Sequence, residues 1–134
     1  MKLRSSFVFC LIFIFLISFS GCAHYKYVVI DAEGNLYSPE KLLLEGQLAY
    51  DAKDYDTAIK YFQLILEKYP DNKECASWAC YEIGFVYFSI KDYEQAKIWF
   101  TQVIEKYNGS NAAVSLSKYM LSKIENILSS KKKK

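Results

Sequence analysis

The segment GQLAYDAKDYDTAIKYFQLILEKYP, beginning at Gly46, returns 38 residues later as GFVYFSIKDYEQAKIWFTQVIEKYN, beginning at Gly84. Under that shift Lys53-Asp54-Tyr55 falls on Lys91-Asp92-Tyr93, Ala58 on Ala96, Phe62 on Phe100, and Glu67-Lys68-Tyr69 on Glu105-Lys106-Tyr107. So many identities at one offset mark a tandem repeat. A repeat of this length is one supersecondary unit that buries its apolar face only by stacking on its neighbours. The signals inside each copy are helical. Asp54 and Asp92 are good N-caps, and Asp92 with Gln95 has the spacing of a capping box. Pro70 stops the first copy and Asn108-Gly109 the second. Gly46 and Gly84 on one side, with Ala58 and Ala96 on the other, allow two helices to approach closely, and Phe62 and Phe100 fill the space between them.

The spacing within each copy resembles the tetratricopeptide repeat, a helix-turn-helix unit. Ser38-Pro39 supplies an N-cap and a proline at the first helical position, so the array starts there. Five helices are predicted, over about 39–52, 54–69, 74–90, 92–107 and 111–129. The fold class is all-α: a short tetratricopeptide-like array of two helix hairpins plus a capping helix. In that last helix Ala113, Leu116, Ser117, Met120, Leu121, Ile124 and Leu128 share one broad face, which is what the end of a repeat stack needs. Ser115, Lys118, Ser122 and Glu125 make its solvent face.

Ahead of the repeats, Lys2 and Arg4 precede an almost wholly apolar run from Phe7 to Phe19, followed by Ser20 and Gly21. That order of charge, oil and small residues is a secretion signal, and the run is short of the roughly 20 residues a membrane span needs. The junction Phe19-Ser20-Gly21-Cys22 resembles the lipobox of bacterial lipoproteins, with Phe19 in the place of the usual Leu. The resemblance implies acylation of Cys22, cleavage before it, and anchoring of the new N-terminus in a membrane. Ala23 after the cysteine points, by the same resemblance, to the outer membrane, with the domain facing the periplasm. The organisation expected is a signal peptide (1–21), a lipidated Cys22 with a tether (22–38), a helical domain (39–129) and a basic tail (130–134). Residues 23–38 have no helical period and read either as a strand-turn-strand element around Gly34-Asn35 or as a plain tether. His24, the only histidine, stands in this segment and reads as a tether residue.

Charge and composition exclude several functions. Residues 22–130 carry 11 basic and 15 acidic side chains, the opposite of a nucleic-acid binder. No metal-ligand cluster, glycine-rich phosphate loop or His-supported nucleophile occurs, so the chain is read as a non-enzyme with no cofactor and no small-molecule substrate. Glu82 and Glu105 read as helix-surface carboxylates. Cys75 and Cys80, five residues apart, would have Cα atoms about 8.6 Å apart on one helix, beyond disulfide reach. They read as buried or partly buried thiols unless Cys75 lies off the helix.

Two stripes run along the third helix. Cys80, Ile83, Gly84 and Tyr87 suit packing on the paired helix, while Trp78, Tyr81, Phe85 and Phe88 form a second stripe at helical period. By resemblance to tetratricopeptide arrays, this second stripe faces a concave groove that binds segments of other proteins. Leu43, Gln47 and Tyr50 would flank it on the first helix, and Leu116, Tyr119 and Lys123 on the fifth. The alternative is that the stripe is core. The lengthened repeat, with KYPDN and ACYEIG around the join, resembles those of the outer-membrane β-barrel assembly lipoproteins (BamD-like) and the periplasmic Tol-Pal-associated coordinator. The expectation is a lipid-anchored envelope adaptor for protein partners. The alternative is a pilotin-like or structural accessory lipoprotein within a larger envelope complex.

Overall fold

A computed structural model of the chain describes residues 25–132, and the expected signal peptide and Cys22 lie outside them. Five helices follow in order: α1 (Pro39–Asp51), α2 (Tyr55–Lys68), α3 (Lys73–Ser89), α4 (Tyr93–Glu105) and α5 (Asn111–Lys132). The all-helical array expected from the repeat is the architecture observed.

Their starts are set by side-chain caps. Ser38 Oγ accepts from the Lys41 N–H ahead of Pro39, Asp54 from Thr57, Asn72 from Cys75 and Asp92 from Gln95. The turns inside the two hairpins are alike to within a few degrees. Lys53 and Lys91, related by the repeat, both adopt left-handed backbone conformations with φ of 62° and 66°. Asp54 N–H then reaches back to Ala49 C=O, and Asp92 N–H to Tyr87 C=O, closing the last turn of each first helix.

α1 packs on α2 and α3 on α4, and the hairpins join through α2 against α3. Close approach within each hairpin depends on glycine. A methyl built on Gly46 would stand 2.8 Å from Phe62 Cζ, and one on Gly84 would stand 2.9 Å from Phe100 Cε1. Each core takes three helices. The first joins Leu42, Ala49, Ala58, Phe62 and Ile65 to Ala79, Ile83 and Val86 of α3. The second joins Cys80, Ala96, Phe100 and Val103 to Ala113, Met120 and Ile124 of α5. Thus the first helix of the following unit closes each core, and α5, which starts 38 residues after α3, does this for the second. Ser77 fastens the join: its hydroxyl meets Lys73 C=O and Tyr107 C=O, and it accepts from the Ser110 N–H.

Three details depart from the sequence reading. Residues 25–38 keep the turn of the expected strand-turn-strand element, with a single bridge for its strands, and instead of standing free as a tether they dock on α1 and α2 as a strap. Its ends meet in a single antiparallel bridge, Ile30 to Leu36, across a turn held by Asp31 Oδ1, which accepts from the N–H groups of Glu33 and Asn35. Tyr25 N–H donates to Asp54 Oδ2 (2.9 Å) and its hydroxyl to Glu45 Oε2 (2.7 Å). Val28 N–H donates to Tyr61 Oη (2.8 Å), and Tyr69 Oη donates to Tyr37 C=O (2.7 Å). The physical reason lies in the repeat. Trp99, the counterpart of Tyr61, packs on the preceding core, whereas among the described residues no hairpin precedes Tyr61, and the strap covers it. Secondly, α5 continues through Lys132, so the first residues of the expected basic tail are helical. Thirdly, Leu116 is 40% exposed rather than part of the buried face of α5. Among the described residues no helix is long and apolar enough to cross a membrane.

Candidate functional site

The first helices of successive units, α1, α3 and α5, lie side by side, and the 38-residue offset places matching positions in rows across them. Leu43, Tyr81 and Tyr119 make one row, Gln47, Phe85 and Lys123 the next, and Tyr50, Phe88 and Asn126 a third. Of the groove residues anticipated on α1 and α5, Leu43, Gln47, Tyr50, Tyr119 and Lys123 fall on these rows, and Leu116 shares a fourth with Trp78.

The aromatic stripe of α3 divides between core and surface. Tyr81 is only 9% exposed, its ring 5.5 Å from that of Phe100, and burial pushes its hydroxyl pKa up. Trp78, Phe85 and Phe88 are half-buried. The rings nevertheless form one chain of contacts. Trp78 meets Tyr81 edge-on at 5.8 Å, Tyr81 stacks with Phe85 at 6.2 Å, and Phe85 with Phe88 at 6.4 Å. Such pairs contribute about 0.5–1.5 kcal/mol each beyond area burial.

Contacts from the flanking helices fix the edges. Tyr50 lies 5.8 Å from Phe85, and its hydroxyl is 2.8 Å from Ser89 Oγ. Since Ser89 donates its own proton to Phe85 C=O, Tyr50 is the donor in that pair. From the other side Lys123 sets its ammonium 5.3 Å from the centre of the Phe88 ring, a cation–π contact between α5 and α3. Leu43 and Tyr50 are half-buried and Gln47 is exposed, while Tyr119 is 62% exposed with its ring in solvent.

Glu82 corrects the reading of a surface carboxylate. It is half-buried, in hydrogen-bond contact with Gln47, and desolvation raises its carboxyl above the usual carboxylate range while Gln47 opposes the shift. Glu105, by contrast, is exposed as expected. Nothing in the spacing marked Glu82 or Ser89, because their surroundings come from α1, some 35 to 40 residues away. Cys75 and Cys80 are both free and buried. Burial foremost pushes their thiols up to about 11 and about 12, so both are protonated and inert at neutral pH. Among the described residues no group of three or more His, Cys, Asp or Glu is placed to hold a metal ion.

The tetratricopeptide repeat family matches residues 49–118, just over half of the chain. The chain belongs to that family. No curated protein and no solved structure matches it significantly. As a tetratricopeptide-repeat protein it carries a scaffold that generally mediates protein–protein interaction and is typically non-enzymatic. The rows across α1, α3 and α5 are the surface of this repeat protein that combines accessible rings with a rigid backing.

Proposed function

We propose that this tetratricopeptide-repeat protein is a lipid-anchored adaptor of the bacterial cell envelope, which holds a segment of a partner protein against the rows of α1, α3 and α5. The observation that carries the reading is the half-exposed ring chain Trp78, Phe85 and Phe88, extended by the exposed Leu116 and Tyr119. Accessible aromatics on a rigid, largely apolar bed are the usual anchors of protein interfaces. Acylation of Cys22 rests on its lipobox-like context, and placement at the outer membrane, with a part in outer-membrane protein assembly, rests on Ala23 and on the resemblance of the repeats.

The test is photocrosslinking in intact cells from position 119, followed by detergent solubilisation and identification of the adduct. Tyr119→Ala and Phe85→Ala should weaken capture of that partner while helicity is kept. Cys22→Ser should abolish lipid labelling and leave the repeats folded. Adducts only to the protein itself would overturn the adaptor reading, and labelling that survives Cys22→Ser would overturn the anchor.

A further inference from the structure

The strap changes how far the domain can stand from its anchor. Were residues 23–38 a free tether, sixteen extended residues would give a reach of about 55 Å. Instead the main chain is fixed at Tyr25, by the 2.9 Å bond from its N–H to Asp54 and the 2.7 Å bond from its hydroxyl to Glu45. From Cys22 to Tyr25 the chain spans only about 10 Å at full stretch. The headgroup layer on one side of a bilayer is itself about 5–8 Å deep. An acylated Cys22 would therefore hold the side of the first hairpin along which the strap runs at the lipid surface.

That side carries an unusual share of exposed apolar side chains. Ile30 and Leu36, opposite each other in the bridge, point to the same side of the strap, and both are exposed, Ile30 by 51%. Their neighbours Val29 and Tyr37 face the other way and pack on the first core. Tyr27 is exposed as well. Beside the strap, α1 presents Leu44, 47% exposed, and Leu48 one turn on. These two adjoin Lys41 and Glu45, the α1 side chains that the strap touches through Tyr37 and Tyr25. In the second unit the counterpart of Leu48 is Val86, buried against the first unit. In the first unit no hairpin among the described residues covers Leu48, which is 42% exposed.

We infer that this face, Ile30 and Leu36 on the strap with Leu44 and Leu48 on α1, rests on the bilayer that receives the lipid on Cys22. The inference depends on the acylated-anchor reading above. Contact is apolar rather than electrostatic, because the strap itself carries Lys26 against Asp31 and Glu33. Neutral lipids therefore suffice, and added salt does not release the face. The groove rows lie on other positions of α1 and on α3 and α5, so the domain lies against the membrane with its partner surface fixed in orientation instead of swinging on a leash.

The experiment uses the full acylated protein in vesicles of phosphatidylcholine and phosphatidylethanolamine. Single nitroxides are placed through Ile30→Cys, Leu44→Cys and, as a distant control, Ile98→Cys on the exposed side of α4. The buried Cys75 and Cys80 stay unlabelled. Collisions with a water-soluble nickel chelate should be lost at 30 and 44 on going from detergent to vesicles, and retained at 98. Equal access at all three sites, with acylation of Cys22 verified by mass, would overturn the inference alone. Protection at 30 that follows protein density rather than lipid would assign the face to a second copy and also overturn it. A Cys22 found without lipid would refute the anchor reading and this inference with it.

Discussion

Gly46→Ala tests whether the hairpin depends on glycine for contact or merely tolerates it. In an exposed helix interior the change would stabilise by about 1 kcal/mol through helix propensity. Here the new Cβ would run into Phe62 Cε1, with Cζ at 2.8 Å and Cδ1 at 2.9 Å, all well inside normal contact, and Phe62 is fully buried. Its ring has to move into a packed core, where overpacking of this kind costs about 1–3 kcal/mol. The net expectation is a loss of up to about 2 kcal/mol. Gly84→Ala meets Phe100 less closely, at 2.9 Å from the nearest ring atom, so the two terms should nearly cancel. Urea unfolding followed by far-UV circular dichroism reads the difference, and pairing Gly46→Ala with Phe62→Leu isolates its cause. In the Phe62→Leu background the ring edge is gone, so alanine at position 46 should turn neutral or stabilising, a coupling of about 1 kcal/mol or more. An equal loss in both backgrounds would refute the contact argument, as would a Gly46→Ala protein more stable than the parent.

Three further outcomes follow from the same geometry. Lys53→Gly and Lys91→Gly, at φ of 62° and 66°, should each raise stability by up to about 1 kcal/mol, since a side chain in the left-handed region costs about 1–2 kcal/mol; a loss in thermal unfolding would contradict this. Asp54→Ala removes both a helix cap and the strap's bond to Tyr25, whereas Asp92 caps α4 through Gln95. Asp54→Ala should therefore cost about 1 kcal/mol more than Asp92→Ala and speed amide exchange over residues 25–30. For Glu82 the folded carboxyl titrates above its unfolded value. The folded state then binds the extra proton, so this group's contribution falls as pH rises from the ordinary carboxylate value through the raised one. Glu82→Gln should flatten that decline relative to the parent, and an unchanged pH profile would show the side chain to be hydrated.

Much of the fold was legible because it is written twice. The caps at Asp54 and Asp92, the Gly–Phe pairs and the stops at Pro70 and Gly109 are local signals, and the repeat confirms each in a second copy. The strap was illegible for the opposite reason. Its bonds to Asp54 and Tyr61 span about thirty residues and occur once, at an end where the repeat has no counterpart to compare. The same holds for Glu82, whose neighbour Gln47 belongs to the preceding unit. The groove rows were legible in position, since helical spacing puts them on one face, but exposure was not. Whether Tyr81 or Phe85 meets solvent is decided by how far α5 leans over α3.

That lean also orders the surface by how closely it is tied to stability. Tyr81 packs on Phe100 and belongs to the second core, which Met120 and Ile124 of α5 complete. Phe85 stacks on Tyr81 but keeps part of its ring accessible, so a load on it is passed into that core. Tyr119 holds the same repeat position as Tyr81, one unit on, and is 62% exposed. On α5 the positions matching Cys80, Gly84 and Tyr87 are Lys118, Ser122 and Glu125, all exposed, while Leu121, which matches Ile83, is half-buried against the second core. The row Leu43, Tyr81 and Tyr119 thus grades from shared core to free surface in a single step of the repeat. Truncating Tyr119 removes contact area alone, truncating Tyr81 opens the core, and Phe85 stands between. A partner bound along the rows would stiffen the join of α3 and α5 through Phe85, while its grip on Tyr119 could vary without touching the fold.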